Sequence, residues 1–135
     1  MAFTTLQKPA QMEEISMPEN VITEMSKTGF QDALMSNPGA LIIKFGAEWC
    51  GPCKRIDPLV YHWMSKFPPT IQGAIIDIDD NFELYAFLKS KKQANGVPVI
   101  LCYKKGNHTW VPDDVIVGAD AASVNRFFEK CMTYA

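Results

Sequence analysis

Three short runs of nearly unbroken apolar residues, Ala40 to Phe45, Ala74 to Ile78 and Val97 to Tyr103, set the strongest limit on how this chain can fold. A strand that is apolar at almost every position has no face to turn to water, so it must be covered on both sides. Segments with helical spacing lie between and after these runs. Ile56, Leu59, Val60, Trp63, Met64 and Phe67 recur every three or four residues and form one helical stripe, closed by Phe67-Pro68-Pro69. Phe82 to Lys92 reads as another helix, and Val124, Phe127, Phe128 and Cys131 as the buried stripe of a last one. Upstream, Val21 to Met25 is a short strand. Ser26 caps a helix that presents Phe30, Ala33 and Leu34, and Asn37-Pro38-Gly39 ends it as a turn. Lys105-Gly106-Asn107 turns the chain toward a strand at Val115 to Val117. The predicted order is β-α-β-α-β-α-β-β-α, an α/β fold with a central mixed sheet flanked by helices on both faces.

A length of 135 residues suits one hydrophobic core, and the pattern places it in residues 21–135. Residues 1–20 hold two prolines and no sustained period, so they read as an N-terminal extension. With Lys+Arg 13 against Asp+Glu 15, the chain offers no basic footprint for nucleic acid or an anionic membrane surface. Its apolar runs fall well short of the roughly 20 residues that cross a bilayer. The first twenty residues carry one Lys, no Arg and three Glu, with no basic stretch before an apolar run, which predicts neither a secretory signal nor a transit peptide. Four cysteines are too few for a disulfide scaffold, so the expected setting is the reducing cytosol, and the expected state is a monomer.

Two of those cysteines are close in sequence. Cys50 and Cys53 lie in Ala47-Glu48-Trp49-Cys50-Gly51-Pro52-Cys53-Lys54, between a buried strand and an amphipathic helix. If the helix begins near Gly51, Cys50 meets unpaired backbone N–H groups and the positive end of the helix dipole, which favour a thiolate. Pro52 suits the first helical turn, and Gly51 adds no side chain to obstruct an incoming disulfide. Cys53, three residues on, shares a face with Cys50 and can close a disulfide with it. The chemistry that follows is attack by Cys50 on a substrate disulfide, then resolution by Cys53, with an external reductase restoring the dithiol. A bare pair of this spacing is also half a zinc site. Cys102 and Cys131 make no second pair, however, and the Gly-Pro interior and the flanking Trp49 favour redox chemistry without a metal or bound cofactor.

The run Trp49-Cys50-Gly51-Pro52-Cys53-Lys54 resembles the active site of the thioredoxin family, and the resemblance extends from about Val21 to the C-terminus. It implies the thioredoxin fold, with Pro58 where the family kinks its active-site helix. Gly96-Val97-Pro98 resembles the family's cis-proline element and Gly118 its glycine beside the active site. In that likeness Val97 offers its backbone to an extended substrate, while Trp49, Gly51, Pro52, Val97, Pro98, Gly118 and Ala119 form the contact surface. The implied activity is reduction of protein disulfides, with a flavoprotein thioredoxin reductase as partner. A dithiol oxidase or isomerase, and an interaction subunit with little turnover, are the alternatives.

The chain departs from the family in ways that bear on the chemistry. Lys44 stands where the family places a buried Asp under the second cysteine, and Ile75 where it has a lysine on the next strand. Three readings of Lys44 stay open: an inward ammonium that stabilises the Cys53 thiolate and makes the disulfide less favoured, a desolvated amine that acts as base, or a side chain that snorkels to water. Gly46 replaces the first of the usual two tryptophans. Lys104 to Asp114 is longer than in typical relatives and is expected to shape partner choice, with Trp110 a candidate contact. Cys102 and Cys131 read as core packing, His62 and His108 as surface residues, and Asn107-His108-Thr109 as an accidental glycosylation match.

Overall fold

The structure is a computed structural model, and it describes residues 16–135; most of the N-terminal extension therefore lies outside the described residues. Among these, five strands and four helices follow the predicted order: β1 (Val21–Ile22), α1 (Lys27–Met35), β2 (Ala40–Gly46), α2 (Gly51–Ser65), β3 (Ile71–Asp77), α3 (Phe82–Ser90), β4 (Val99–Lys104), β5 (Asp114–Val117) and α4 (Ala121–Met132). The strands form one sheet in the order β1-β3-β2-β4-β5. β3 runs parallel to β1 and β2, whereas β4 runs antiparallel to β2 and β5. No helix in the described residues is long and apolar enough to cross a membrane.

Alternation along β2 sorts its residues between two cores. Leu41, Ile43 and Phe45 face α1 and α3 and pack with Phe30, Leu34, Leu84, Tyr85 and Leu88. Ala40 and Ile42 face α2 and α4, where Ile56, Val60, Met64, Val124 and Phe128 cover them. Every residue of β2 is buried, as the apolar run requires of a strand covered on both faces. Lys44 has the same parity as Ile42, so the lysine is carried into the α2/α4 layer. Ser26 accepts a hydrogen bond from the Gly29 amide (2.9 Å) and caps α1 as its sequence position predicts.

Element boundaries differ from the periodic reading where polar contacts decide them. β3 begins at Ile71 rather than Ala74, because Ala40 pairs with Ile71 while Gln72 and Gly73 break the apolar pattern without breaking the ladder. α3 ends at Ser90, two residues early, and Lys92 takes a left-handed φ of 62° just beyond it. β1 is reduced to two residues; downstream of it the Met25 amide donates to Asn81 Oδ1 (3.2 Å) and not to a strand partner. Tyr103 is fully buried, edge-on to Phe30, and its hydroxyl donates to the Trp110 carbonyl (2.8 Å).

Burial first, and then the nearby Asp113 carboxylate, push the Tyr103 phenol well above its ordinary value. The unfolded chain then gives up this proton before the folded one does, so stability holds below about pH 10 and falls as the pH rises above it. Urea unfolding between neutral and strongly alkaline pH should show a weaker alkaline loss for Tyr103→Phe than for the natural chain, on top of a cost of about 1 kcal/mol at neutral pH from the lost hydrogen bond.

Candidate active site

β2 ends at Gly46 and α2 begins at Gly51, so the intervening residues leave the sheet at the C-terminal end of β2 and turn into a helix. Cys50 is the N-cap of α2, in extended backbone conformation (φ −91°, ψ 105°), and its Sγ accepts a hydrogen bond from the Cys53 amide at 3.1 Å. One of the four amides left unpaired at the start of a helix is thus spent on sulfur, where the helix dipole also favours negative charge. Pro52 occupies the first turn of α2, as expected, and Pro58 lies within the helix. Cys50 and Cys53 are joined by a disulfide, with their Cα atoms 5.3 Å apart. They are 4% and 1% exposed and pack with Ala47, Ile78 and Val97 in a small apolar cluster.

Residues distant in sequence complete the surround. The Val97–Pro98 bond is cis, and the Val97 carbonyl oxygen lies 3.8 Å from Cys50 Sγ. Pro98 precedes β4 instead of opening it, and its carbonyl accepts from the Gly118 amide (3.0 Å), which draws the start of α4 to the same spot. Ala119 packs into the α2/α4 layer. Trp49 is 67% exposed, with its indole N–H donating to Asp79 Oδ2 at 2.9 Å. Lys54 reaches only exposed Glu48, at 3.9 Å, a contact of small energetic weight. The structure thus gathers Cys50, Cys53, Trp49, Gly51, Pro52, Val97, Pro98 and Gly118 at one end of the sheet, and leaves Lys54 at the rim.

Lys44 does not snorkel. It is 3% exposed, and its Nζ lies 2.7 Å from Oδ1 of Asp57 on α2. A Cβ on Gly46 would stand 2.6 Å from this Nζ and 3.5 Å from Cys53 Sγ. The ammonium and the Cys53 sulfur therefore border the same small space, which exists because residue 46 has no side chain. Lys44 and Asp57 also line a cavity of about 340 Å³ together with Glu48, Tyr61, Asp77 and Asp80. Burial, and then the negative charges of Asp57 and Glu48, raise the Tyr61 phenol above its ordinary value. Sequence reading missed Asp57, although it stands four residues after Cys53 and so on the same helix face. It also missed Tyr85, whose hydroxyl accepts from the Gly96 amide (2.9 Å) ahead of the cis bond.

The hairpin of residues 104–114 leaves β4 at Lys104, which pairs with Ala40 at the start of β2, whereas the cysteines follow the end of β2. It therefore lies at the opposite end of the sheet and does not border the disulfide. Trp110 folds back there against Phe87 (ring centroids 6.0 Å apart) under Lys91. Cys102 and Cys131 are both fully buried, as core residues should be, but they do form a pair: β4 and α4 bring their sulfurs together. His62 and His108 are exposed, as expected. Asn107 serves as a loop organiser, donating to the Val111 carbonyl and Asp113.

The family model described as Thioredoxin matches residues 21–130. Thioredoxin 1 of Plasmodium falciparum is 31% identical over 99 residues, covering 73% of this chain and 86% of that protein. The mitochondrial thioredoxin of Mus musculus is 29% identical over 101 residues, which span 75% of this chain and 57% of the mouse protein. Among solved structures, thioredoxin O2 of Arabidopsis thaliana in its oxidized state superposes with a TM-score of 0.66 at 26% identity, covering 89% of this chain and all of that one.

Gly118 holds φ at 101°, where an L side chain is strained even though space is open around it. Gly118→Ala should cost about 1–2 kcal/mol, read as a lower urea midpoint at unchanged slope. Because its amide anchors Pro98, the same variant should also lose disulfide-exchange rate.

Proposed function

Because the chain belongs to the thioredoxin family, we propose that it is a thiol–disulfide oxidoreductase that reduces disulfides of protein substrates through Cys50 and Cys53. The observation that carries this reading is Cys50 Sγ seated at the N-terminus of α2, accepting the Cys53 amide and flanked by the Val97 carbonyl. That seat stabilises a thiolate by one hydrogen bond and by the helix dipole. In the reduced protein, the Cys50 thiolate attacks one sulfur of the substrate disulfide; a mixed disulfide forms and the other substrate thiolate leaves and takes a proton. Cys53 then loses its proton and attacks Cys50 Sγ, which releases the second substrate thiol and leaves the Cys50–Cys53 disulfide. Two electrons have passed to the substrate, and a flavoprotein thioredoxin reductase returns them.

Val97 presents backbone to an extended substrate segment, and Trp49, Gly51, Pro52, Pro98, Gly118 and Ala119 supply the surface around it. The chain acts as a monomer in a reducing compartment, the cytosol being the proposed one. Lys44 tunes the pair: its ammonium lies beside Cys53 and favours the thiolate, while Asp57 holds the ammonium in place and offsets part of its charge. This feature supports a second reading, a dithiol oxidase or isomerase, since stabilising the thiolate makes the disulfide easier to reduce and the protein more oxidising.

Reduction of insulin by dithiothreitol should be accelerated by the natural chain and not by Cys50→Ser, and Cys53→Ser should accumulate mixed disulfides. A rate equal to the reductant blank would sink the enzyme reading in favour of an interaction subunit. Equilibration with glutathione separates the reductase and oxidase readings and tests Lys44. Lys44→Gln should shift the dithiol–disulfide equilibrium toward the disulfide and Asp57→Asn toward the dithiol, each by about tenfold. A purely structural ion pair predicts no such opposition of sign.

A further inference from the structure

We propose that Cys102, Cys131 and Asp114 form a binding site for a thiophilic divalent cation of the zinc class. The three come from different elements, β4, α4 and β5, and their two sulfurs and one carboxylate oxygen all lie within 4.8 Å of one another. The cysteines are 0% exposed and free. Alternation along β4 aims Cys102, like Ile100, at the α2/α4 layer, and the helical stripe of α4 returns Cys131 to the same point.

Donors held within this span can converge on one ion. With metal–sulfur distances of about 2.3 Å and metal–oxygen distances of about 2.1 Å, donors on one tetrahedral ion lie roughly 3.5–3.8 Å apart. A disulfide instead needs sulfurs at about 2.05 Å, and the two thiols are unbonded here. Asp114 is already oriented by its neighbours. Lys130 Nζ lies 2.7 Å from its Oδ1, and the Tyr134 hydroxyl donates to its Oδ2 at 2.7 Å. Outer hydrogen bonds of this kind fix a carboxylate ligand for its metal. The charges also close: a divalent ion, two thiolates, one carboxylate and the Lys130 ammonium sum to zero. Binding exchanges the two thiol protons, released to water, for the cation, with no change of oxidation state. Two sulfur donors select a zinc-class ion over magnesium or calcium, which take oxygen ligands.

The test uses the full chain carrying Cys50→Ser and Cys53→Ser, which removes the other dithiol, stripped of metal and kept reduced with a phosphine. Titration with Co2+ should give thiolate-to-cobalt charge-transfer bands that saturate at one equivalent, and Zn2+ should displace them and raise the melting temperature. Cys131→Ala in the same background should abolish the bands. Asp114→Asn, a change on the outer side of the cluster, should weaken the affinity at least tenfold and keeps the test decisive if Cys131→Ala does not fold. The proposal is overturned if the folded parent shows no bands, if binding survives both Cys131→Ala and Asp114→Asn undiminished, or if mass spectrometry finds a Cys102–Cys131 disulfide formed in place of metal uptake.

Discussion

Burial of β2 on both faces is the constraint from which the site descends. Once the strand is central, its two-residue period assigns each side chain to one of two helical layers with no freedom left over. Six of its seven residues meet apolar neighbours or, like Gly46, have no side chain to place. Lys44 cannot turn back toward water without moving the whole strand, so its charge has to be met inside the protein. Asp57 meets it. An unpaired buried ammonium is costly enough that the pair behaves as a unit, and Gly46 is the condition for fitting it beside Cys53.

The same strand delivers the chain to a turn from which α2 starts, and that start makes Cys50 different from Cys53. Cys50 lies just outside the helix and receives an amide hydrogen bond, whereas Cys53 lies within the first turn and is nearly sealed. Chemically identical side chains acquire different surroundings from a three-residue displacement along one helix. The surround is completed from the other end of the chain, where the β4–β5 ladder, with Val99 opposite Val117, continues into the Gly118 amide on the Pro98 carbonyl.

Much of this was legible from sequence because it depends on local pattern. Apolar runs give strands, three-four spacing gives helices, and a Cys-Gly-Pro-Cys segment at a strand-helix junction gives a cysteine at a helix start. The period along β2 places Lys44 facing α2, but which residue of α2 answers it depends on how the helix is rotated over the sheet, and Asp57 was therefore missed. Cys102 and Cys131 escaped for a similar reason: each reads correctly as buried, and only the packing of α4 over β4 makes them neighbours. Length alone does not tell which end of a sheet a hairpin caps, so the place of the Lys104 to Asp114 segment is settled only by the pairing of Lys104 with Ala40. β1 and the start of β3 were misjudged where polar residues interrupt a ladder held by backbone hydrogen bonds.

β4 carries the cis peptide bond just before one end and the hairpin at the other, and its six residues span about 20 Å. Anything attached to the hairpin rides on the end of the sheet away from Val97. Loop length there is free to drift without crowding the cysteines. The residues from Gly106 to Val111 are also the natural place to graft a fluorophore or a fusion partner while leaving the reactive end unencumbered.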